Sequence, residues 1–257
     1  MDLAAFTRIA HELRDAGVER LGLFYMNEPF PDAALPVAIR IAKEICGIPY
    51  VFLTSNGIAA TPDQVGPCLE AGLDSLKFAI NLSREQLARF TTGGTGVSEL
   101  VIENIRASRR LRDGISIRSG HRCRLSASSL AYDESQRDRM LGLLTAIAHL
   151  VDEHYWLPLF GRPELAPRDI AHSDVFSMNQ SLHKPLPCWT LFTEAHVRCD
   201  GMLSACCLSH TPRFEMGSLC QVTFAEAWHS ESFKSLRQAH LSGDVRGTSC
   251  EGCIGRH

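Results

Sequence analysis

The chain has 257 residues, 45% of them hydrophobic and 21% charged, which describes a globular protein and excludes disordered, collagenous and low-complexity chains. Lys and Arg total 26 against 29 for Asp and Glu, a formal net charge of −3, so no basic excess points to nucleic acid or to an anionic membrane surface. Ten cysteines are the unusual feature, and seven of them lie between Cys188 and Cys253.

In chain order, Phe6, Ile9, Ala10 and Leu13 recur at helical spacing, which predicts an amphipathic helix ending at Gly17. Residues 21–26 read as a buried strand. Leu35, Ala38, Ile39, Ala42 and Ile45 form a second helical face, stopped by Gly47. Residues 50–53 read as a strand running into the turn Ser55-Asn56-Gly57. Thr61-Pro62 predicts an N-cap followed by proline at the first helical position, with Gly72 closing that helix. Residues 76–82 read as a third strand, and Ser83 with Gln86 has capping-box spacing. A helix over 97–111, a strand over 122–132, a helix over 140–151 and a strand over 154–160 complete the series.

Repeated βα units without tight hairpin signals predict a parallel sheet, and near-continuous apolar strands predict that both its faces are buried. Such a sheet is either open and doubly wound or closed into a (β/α) barrel. Both place ligand sites at the carboxyl ends of the strands. The polar residues expected there are Asn27, Glu28, Thr54, Ser55, Asn56 and Asn81. The series opens with a helix where a strand would be expected. Pro163, Pro167, Pro185 and Pro187 mark residues 161–187 as a linker between a domain over 1–160 and a second over 188–257.

The N-terminus lacks the basic start and apolar run of a secretory signal, and no stretch approaches the ~20 apolar residues of a membrane span. A cytoplasmic location is therefore expected. Thiols stay reduced there, and they read as metal ligands or small buried residues more readily than as disulfides. Cys46, Cys68 and Cys123 sit inside helical or strand patterns and are expected to be buried. Cys188, Cys206 and the C-x-x-C pair Cys250 and Cys253 bring thiolates from separate segments, and Asp200-Gly201 suits a hairpin turn between the first two. An all-cysteine set of this spacing serves zinc and iron–sulfur clusters alike.

Several segments resemble one family. Pro187-Cys188-Trp189, Asp200-Gly201, Cys206, Met216-Gly217-Ser218, Ala227-Trp228-His229-Ser230, Phe233, Leu236-Arg237 and Cys250-x-x-Cys253 resemble the SPASM or twitch domain of radical S-adenosylmethionine enzymes. Met26-Asn27-Glu28-Pro29 resembles the family's Gly-Gly-Glu-Pro segment, and Thr54-Ser55-Asn56-Gly57 its Thr-Asn-Gly turn. The run Glu70 to Lys77, continuing to Asn81, resembles its fourth strand. The resemblance implies an α/β fold: a partial (β/α) barrel lacking its first βα unit, followed by a small cysteine-rich domain. It also implies a 4Fe–4S cluster rather than zinc at Cys188, Cys206, Cys250 and Cys253. Four ligands match a single auxiliary cluster, similar to the twitch domains of the butirosin-pathway aminocyclitol dehydrogenases.

One departure is large. The family binds its catalytic cluster through C-x-x-x-C-x-x-C after the first strand, and that motif is absent from these 257 residues. The expectation is an N-terminally incomplete reading frame, with a degenerate, non-catalytic relative as the alternative. In a complete enzyme the resemblance implies S-adenosyl-L-methionine, a second 4Fe–4S cluster and a flavodoxin- or ferredoxin-type reductant. The reaction implied is radical oxidation or modification of a small polar metabolite, sugar or peptide. Carried over by position, Asn27, Glu28, Pro29, Thr54, Asn56, Asn81 and Arg124 are the cofactor-binding candidates. His154, as a base, and Tyr155 are the catalytic candidates on the last strand.

Overall fold

The computed structural model describes residues 1–25, 27–80, 96–131, 134–158, 186–207 and 212–251. The chain divides into two compact units, residues 17–157 and residues 1–16 with 158–257. No helix among the described residues is long and apolar enough to cross a membrane.

The first unit is built on a five-stranded sheet in sequential order: β1 (Arg20–Gly22), β2 (Tyr50–Ser55), β3 (Ser75–Ala79), β4 (Arg124–Ala131) and β5 (Glu153–Pro158). Strands β1 to β4 pair in parallel, with Phe52 opposite Ser75 and Ser75 opposite Arg124. The crossovers are helices, as parallel pairing requires. They are α2 (Leu35–Arg40), extended by a π turn over Ile41–Ile45, then α3 (Pro62–Glu70), α4 (Val97–Ser119) and α5 (Glu134–Ile147). The α/β class and parallel order are those expected from the sequence.

Burial differs from expectation. Along β2 exposure alternates residue by residue: Val51 and Leu53 are fully buried, while Tyr50, Phe52 and Thr54 are half-buried. Leu76, Phe78, Leu125 and Ala127 share the face of Val51 and Leu53 and are buried, as are Ile39, Val65, Ile105 and Leu143 on the helices. The opposite face carries Arg20, Thr54, Lys77, Arg124, Ser126, Glu153 and Tyr155. Among the described residues the apolar helical layer lies on the first face; the second carries charged and polar groups beside Tyr50 and Phe52, a mixture suited to the inside of a barrel near a ligand site.

An ion-pair network centred on one buried arginine closes the amino ends of β4 and β5. The Arg112 side chain of α4 is fully buried, donating to the Cys123 carbonyl at 3.0 Å and to Asp152 at 2.8 Å. Asp152 also accepts from Arg122 and from the Leu125 N–H. Burial alone would raise the Asp152 carboxyl, but the Leu125 N–H and the two guanidinium groups outweigh it and hold its pKa at about 2.

The second unit contains a three-stranded antiparallel sheet of β6 (His196–Val197), β7 (Met202–Ser204) and β8 (Glu215–Ser218), with a single 3₁₀ turn over Pro212–Phe214. Gly201 sits at φ +83° in the β6–β7 turn, so the Asp-Gly hairpin signal is borne out. The helices of this unit among the described residues include α6 (Thr190–Thr193), α7 (Phe224–Trp228) and α8 (Glu231–Leu241).

The opening helix α1 (Leu3–Asp15) groups with this unit. Ile9, Ala10 and Leu13 are buried as the periodicity implied. Arg8 donates to the Leu219 carbonyl. The Glu12 carboxylate accepts the Phe224 N–H at 2.7 Å, satisfying a free donor at the start of α7. Periodicity identifies a helix and its apolar stripe, but the partner of that stripe is set by contacts distant in sequence.

Candidate functional site

Two polar assemblies stand out, one in each unit. The first lies where β2 ends. Glu28 reaches across from the segment after β1: one carboxylate oxygen accepts from the Ser55 hydroxyl at 2.8 Å, the other from the Asn56 N–H at 2.9 Å. Ser55 Oγ in turn accepts the Gly57 N–H, and Asn56 accepts the Ile58 N–H. The turn is held from beneath by Asn104 on α4, which is buried and donates to the Gly57 and Ile58 carbonyls at 2.8 and 3.1 Å. Gly57 has φ +82°, and a Cβ there would lie 2.9 Å from Val101, so only glycine fits. The turn motif is legible in the sequence, whereas Asn104 sits mid-helix with no local signal.

The predicted strand-end residues are thus partly brought together. Asn27 accepts the Tyr25 N–H and Pro29 that of Asp32, shaping the segment that carries Glu28. Thr54 stands one residue before Ser55 with its Oγ1 buried and without a partner among the described residues. Asn81 and Met26 lie outside the described residues, as does the capping box at Ser83. Arg124 opens β4 at the amino end of the sheet and pairs with Glu153 at 2.6 Å. It therefore lies at the opposite end of the strands from Ser55, because it begins its strand where Ser55 ends one.

His154 and Tyr155 are consecutive on β5 and so project to opposite faces. His154 faces the helices: its Nε2 is 3.1 Å from the buried Ser129 hydroxyl, its ring meets Trp156 edge-on, and burial lowers its pKa. Tyr155 is on the polar face, 6.0 Å from the Lys77 ammonium, and burial raises its pKa with help from the Glu153 charge. Lys77 was missed as a candidate in its own right. It is half-buried, in register with Thr54 and Ser126, and burial lowers its pKa. Among the described residues no carboxylate pairs with it.

The second assembly is the cysteine region. All nine described cysteines are free thiols. Cys46, Cys68 and Cys123 are buried as expected, and burial pushes the Cys68 and Cys123 thiols up to about 12, out of the reactive range. Cys188 and Cys206 are half-buried and Cys250 is buried, while Cys253 lies outside the described residues. Among the described residues no three His, Cys, Asp or Glu side chains converge on one ion position.

The segments bearing these thiols are nevertheless tied together. Cys206 follows β7, and the neighbouring Ala205 N–H donates to the Phe214 carbonyl at 2.9 Å. The next carbonyl back, that of Arg213, accepts from Ser249 Oγ at 2.5 Å, and the Arg213 side chain donates to the Thr248 carbonyl. The 3₁₀ turn thus joins the Cys206 segment to the Cys250 segment. Helix α8 secures Cys188. The Cys188 N–H donates to His240 Nδ1 at 3.1 Å, and Arg237 donates to the carbonyls of Leu191 and Trp228 at 2.8 and 2.7 Å. The Arg237 guanidinium lies over the Trp228 and Phe233 rings at 4.1 and 3.9 Å from their centroids.

The donor set fits an iron–sulfur group: its described members are all thiols, reduced and only partly exposed. Buried N–H donors on His240 and Arg237, beside the Cys188 segment and without a partner among the described residues, suit an anionic acceptor there.

Residues 188–254 match the SPASM family model, an iron–sulfur cluster-binding domain. No curated protein matches the chain by sequence. Among solved structures, anSMEcpe with bound AdoMet superposes with a TM-score of 0.64 at 8% identity, over 94% of this chain and 72% of that one. The same protein with AdoMet and the Kp18Cys peptide gives 0.56 at 8% identity, over 94% and 75%. BtrN in complex with AdoMet and 2-DOIA gives 0.54 at 13% identity, over 95% and 75%. At these identities the likeness is one of fold.

Proposed function

We propose, for a chain whose C-terminal segment is a SPASM domain and whose sheet unit shares the partial-barrel fold of radical S-adenosylmethionine enzymes, that Cys188, Cys206, Cys250 and Cys253 hold one auxiliary 4Fe–4S cluster. The observation that carries this reading is the extent of the SPASM match: it begins on Cys188, ends one residue past Cys253 and contains all four thiols. Bound there, a cluster supplies a one-electron site beside a substrate. The protein's part is to bind, orient and exclude water.

In the sheet unit, Asn27, Glu28, Pro29, Thr54, Asn56 and Asn81 form the S-adenosylmethionine cradle. Glu28 fixes the turn through Ser55 and Asn56, and the open Thr54 hydroxyl is available to the ligand. Tyr155 and Lys77 on the polar face contact substrate, a small polar metabolite, sugar or peptide; BtrN and anSMEcpe, whose fold this chain shares, bind 2-DOIA and a peptide respectively. Arg124 serves its ion pair with Glu153 and His154 its contact with Ser129. The setting proposed is cytoplasmic, with a flavodoxin- or ferredoxin-type reductant and no nucleic-acid partner.

Anaerobic reconstitution tests the cluster directly. About four irons and four sulfides per chain are expected, with the broad visible absorption and reducible paramagnetic signal of a cubane. Stoichiometric zinc without sulfide would overturn the reading and leave a structural zinc module.

A further inference from the structure

His240 lies in none of the motifs that mark the cysteine region, yet it makes a direct contact with a proposed ligand residue. It sits in the last turn of α8, is 1% exposed, and accepts the Cys188 N–H at Nδ1 over 3.1 Å. A nitrogen that accepts carries no proton, so the neutral ring bears its proton on Nε2. That Nε2 is buried and has no hydrogen-bond partner among the described residues. A bare buried donor costs about 1–3 kcal/mol, and native proteins rarely leave one unmatched.

One turn earlier on the same face of α8, Arg237 shows the same pattern. Its Nε and Nη1 are taken by the Leu191 and Trp228 carbonyls, and its Nη2 is buried with no partner among the described residues. Residues three apart on a helix are neighbours. Both reach the short segment that starts at Cys188, so one helix face presents two open donors to the strand of chain that carries the first thiol. The chemistry that satisfies such donors is an anionic acceptor. A thiolate-ligated cluster offers several, in its sulfides and its cysteine sulfurs.

We infer that His240 is a positioning residue of the cluster site: Nδ1 fixes the Cys188 backbone, and Nε2–H donates to a sulfur of the cluster that Cys188 helps to hold. The inference rests on the cluster reading above. Hydrogen bonds to cluster sulfurs stabilise the more negative reduced state and raise the reduction potential, so His240 tunes the electron affinity of the site as well as its geometry.

Three variants of the reconstituted full chain separate the roles. Iron and sulfide are counted first on the unaltered protein; failure at this step refutes the cluster and not the role of His240. His240→Asn keeps an acceptor where Nδ1 stood and removes the group at Nε2. It is expected to retain full iron with a more negative midpoint potential and an altered paramagnetic spectrum. His240→Gln restores an amide N–H near the Nε2 position and is expected to return the potential toward that of the unaltered protein. His240→Leu removes both contacts and is expected to lose most of its iron. Full iron with an unchanged potential in His240→Asn would overturn the inference. Equal loss of iron from all three variants would also overturn it, because His240 would then serve only to pack α8.

Discussion

In the sheet unit the polar groups of the turn after β2 hold one another: Glu28 takes Ser55 and Asn56, Ser55 takes Gly57, and Asn104 fills the turn carbonyls, with the Thr54 hydroxyl left without a partner among the described residues. In the C-terminal unit the buried donors of His240 and Arg237 stop short of any acceptor among the described residues. Apart from the Thr54 hydroxyl, the turn is held together by protein groups. The C-terminal unit leaves two buried donors on one helix face, which suits the cluster proposed for Cys188, Cys206, Cys250 and Cys253. A cluster bound there would add its binding energy to the folding of this unit, beyond what its core of Leu203, Phe214, Phe224 and Phe233 supplies, whereas the sheet unit relies on its own core.

The largest test of this contrast is removal of a ligand. Cys188→Ala or Cys250→Ala should abolish nearly all bound iron and lower the melting of the C-terminal unit, while the sheet unit keeps its transition. Calorimetry with iron analysis checks both. A shift of both transitions together would break the comparison.

Next in size is Arg112→Leu. It removes a fully buried guanidinium that pairs with Asp152 and Asp113 and donates to the Cys123 carbonyl, and should destabilise the sheet unit by about 2–4 kcal/mol in urea unfolding, with iron content unchanged. The same network predicts an acid limit. The Asp152 pKa is depressed to about 2, so its contribution is complete above the unfolded carboxyl value of about 4 and fades as pH falls toward 2. Asp152→Asn should flatten the stability of the sheet unit between those two pH values, read from urea midpoints.

Smaller still is Asn104→Ala, which leaves two turn carbonyls without a donor and should cost about 1–3 kcal/mol by the same assay. The smallest effect is expected at Thr54, whose hydroxyl makes no bond among the described residues. Thr54→Val should leave stability within about 1 kcal/mol of the original, or raise it, while weakening S-adenosylmethionine binding in a calorimetric titration.

Much of the element order was legible because apolar spacing is local. The alternation of helix and strand and the Asp-Gly hairpin could be read residue by residue. The Thr61-Pro62 start of α3 was also found, although the Thr61 side chain makes no capping bond. What escaped were contacts between distant segments. Glu28 was named as a candidate, but its clasp on a turn 27 residues away could not be. Asn104 and His240 lie outside every quoted motif, and Lys77, though inside the run that continues to Asn81, carries no local sign that it reaches Tyr155. Arg124 and His154 were chosen by residue type near the right strands; strand polarity placed one at the amino end and strand alternation put the other against the helices.

The seven clustered cysteines and their spacing mark a metal-binding C-terminal region with no coordinates at all, because ligand identity is chemistry carried by the residues themselves. The α/β order follows from periodicity for the same reason. Which unit takes α1, which sheet face is polar, and which buried donors remain open depend on side chains that meet only after the chain has crossed back on itself. Hydrogen-bond satisfaction and burial are properties of those meetings, and no window of sequence contains both partners.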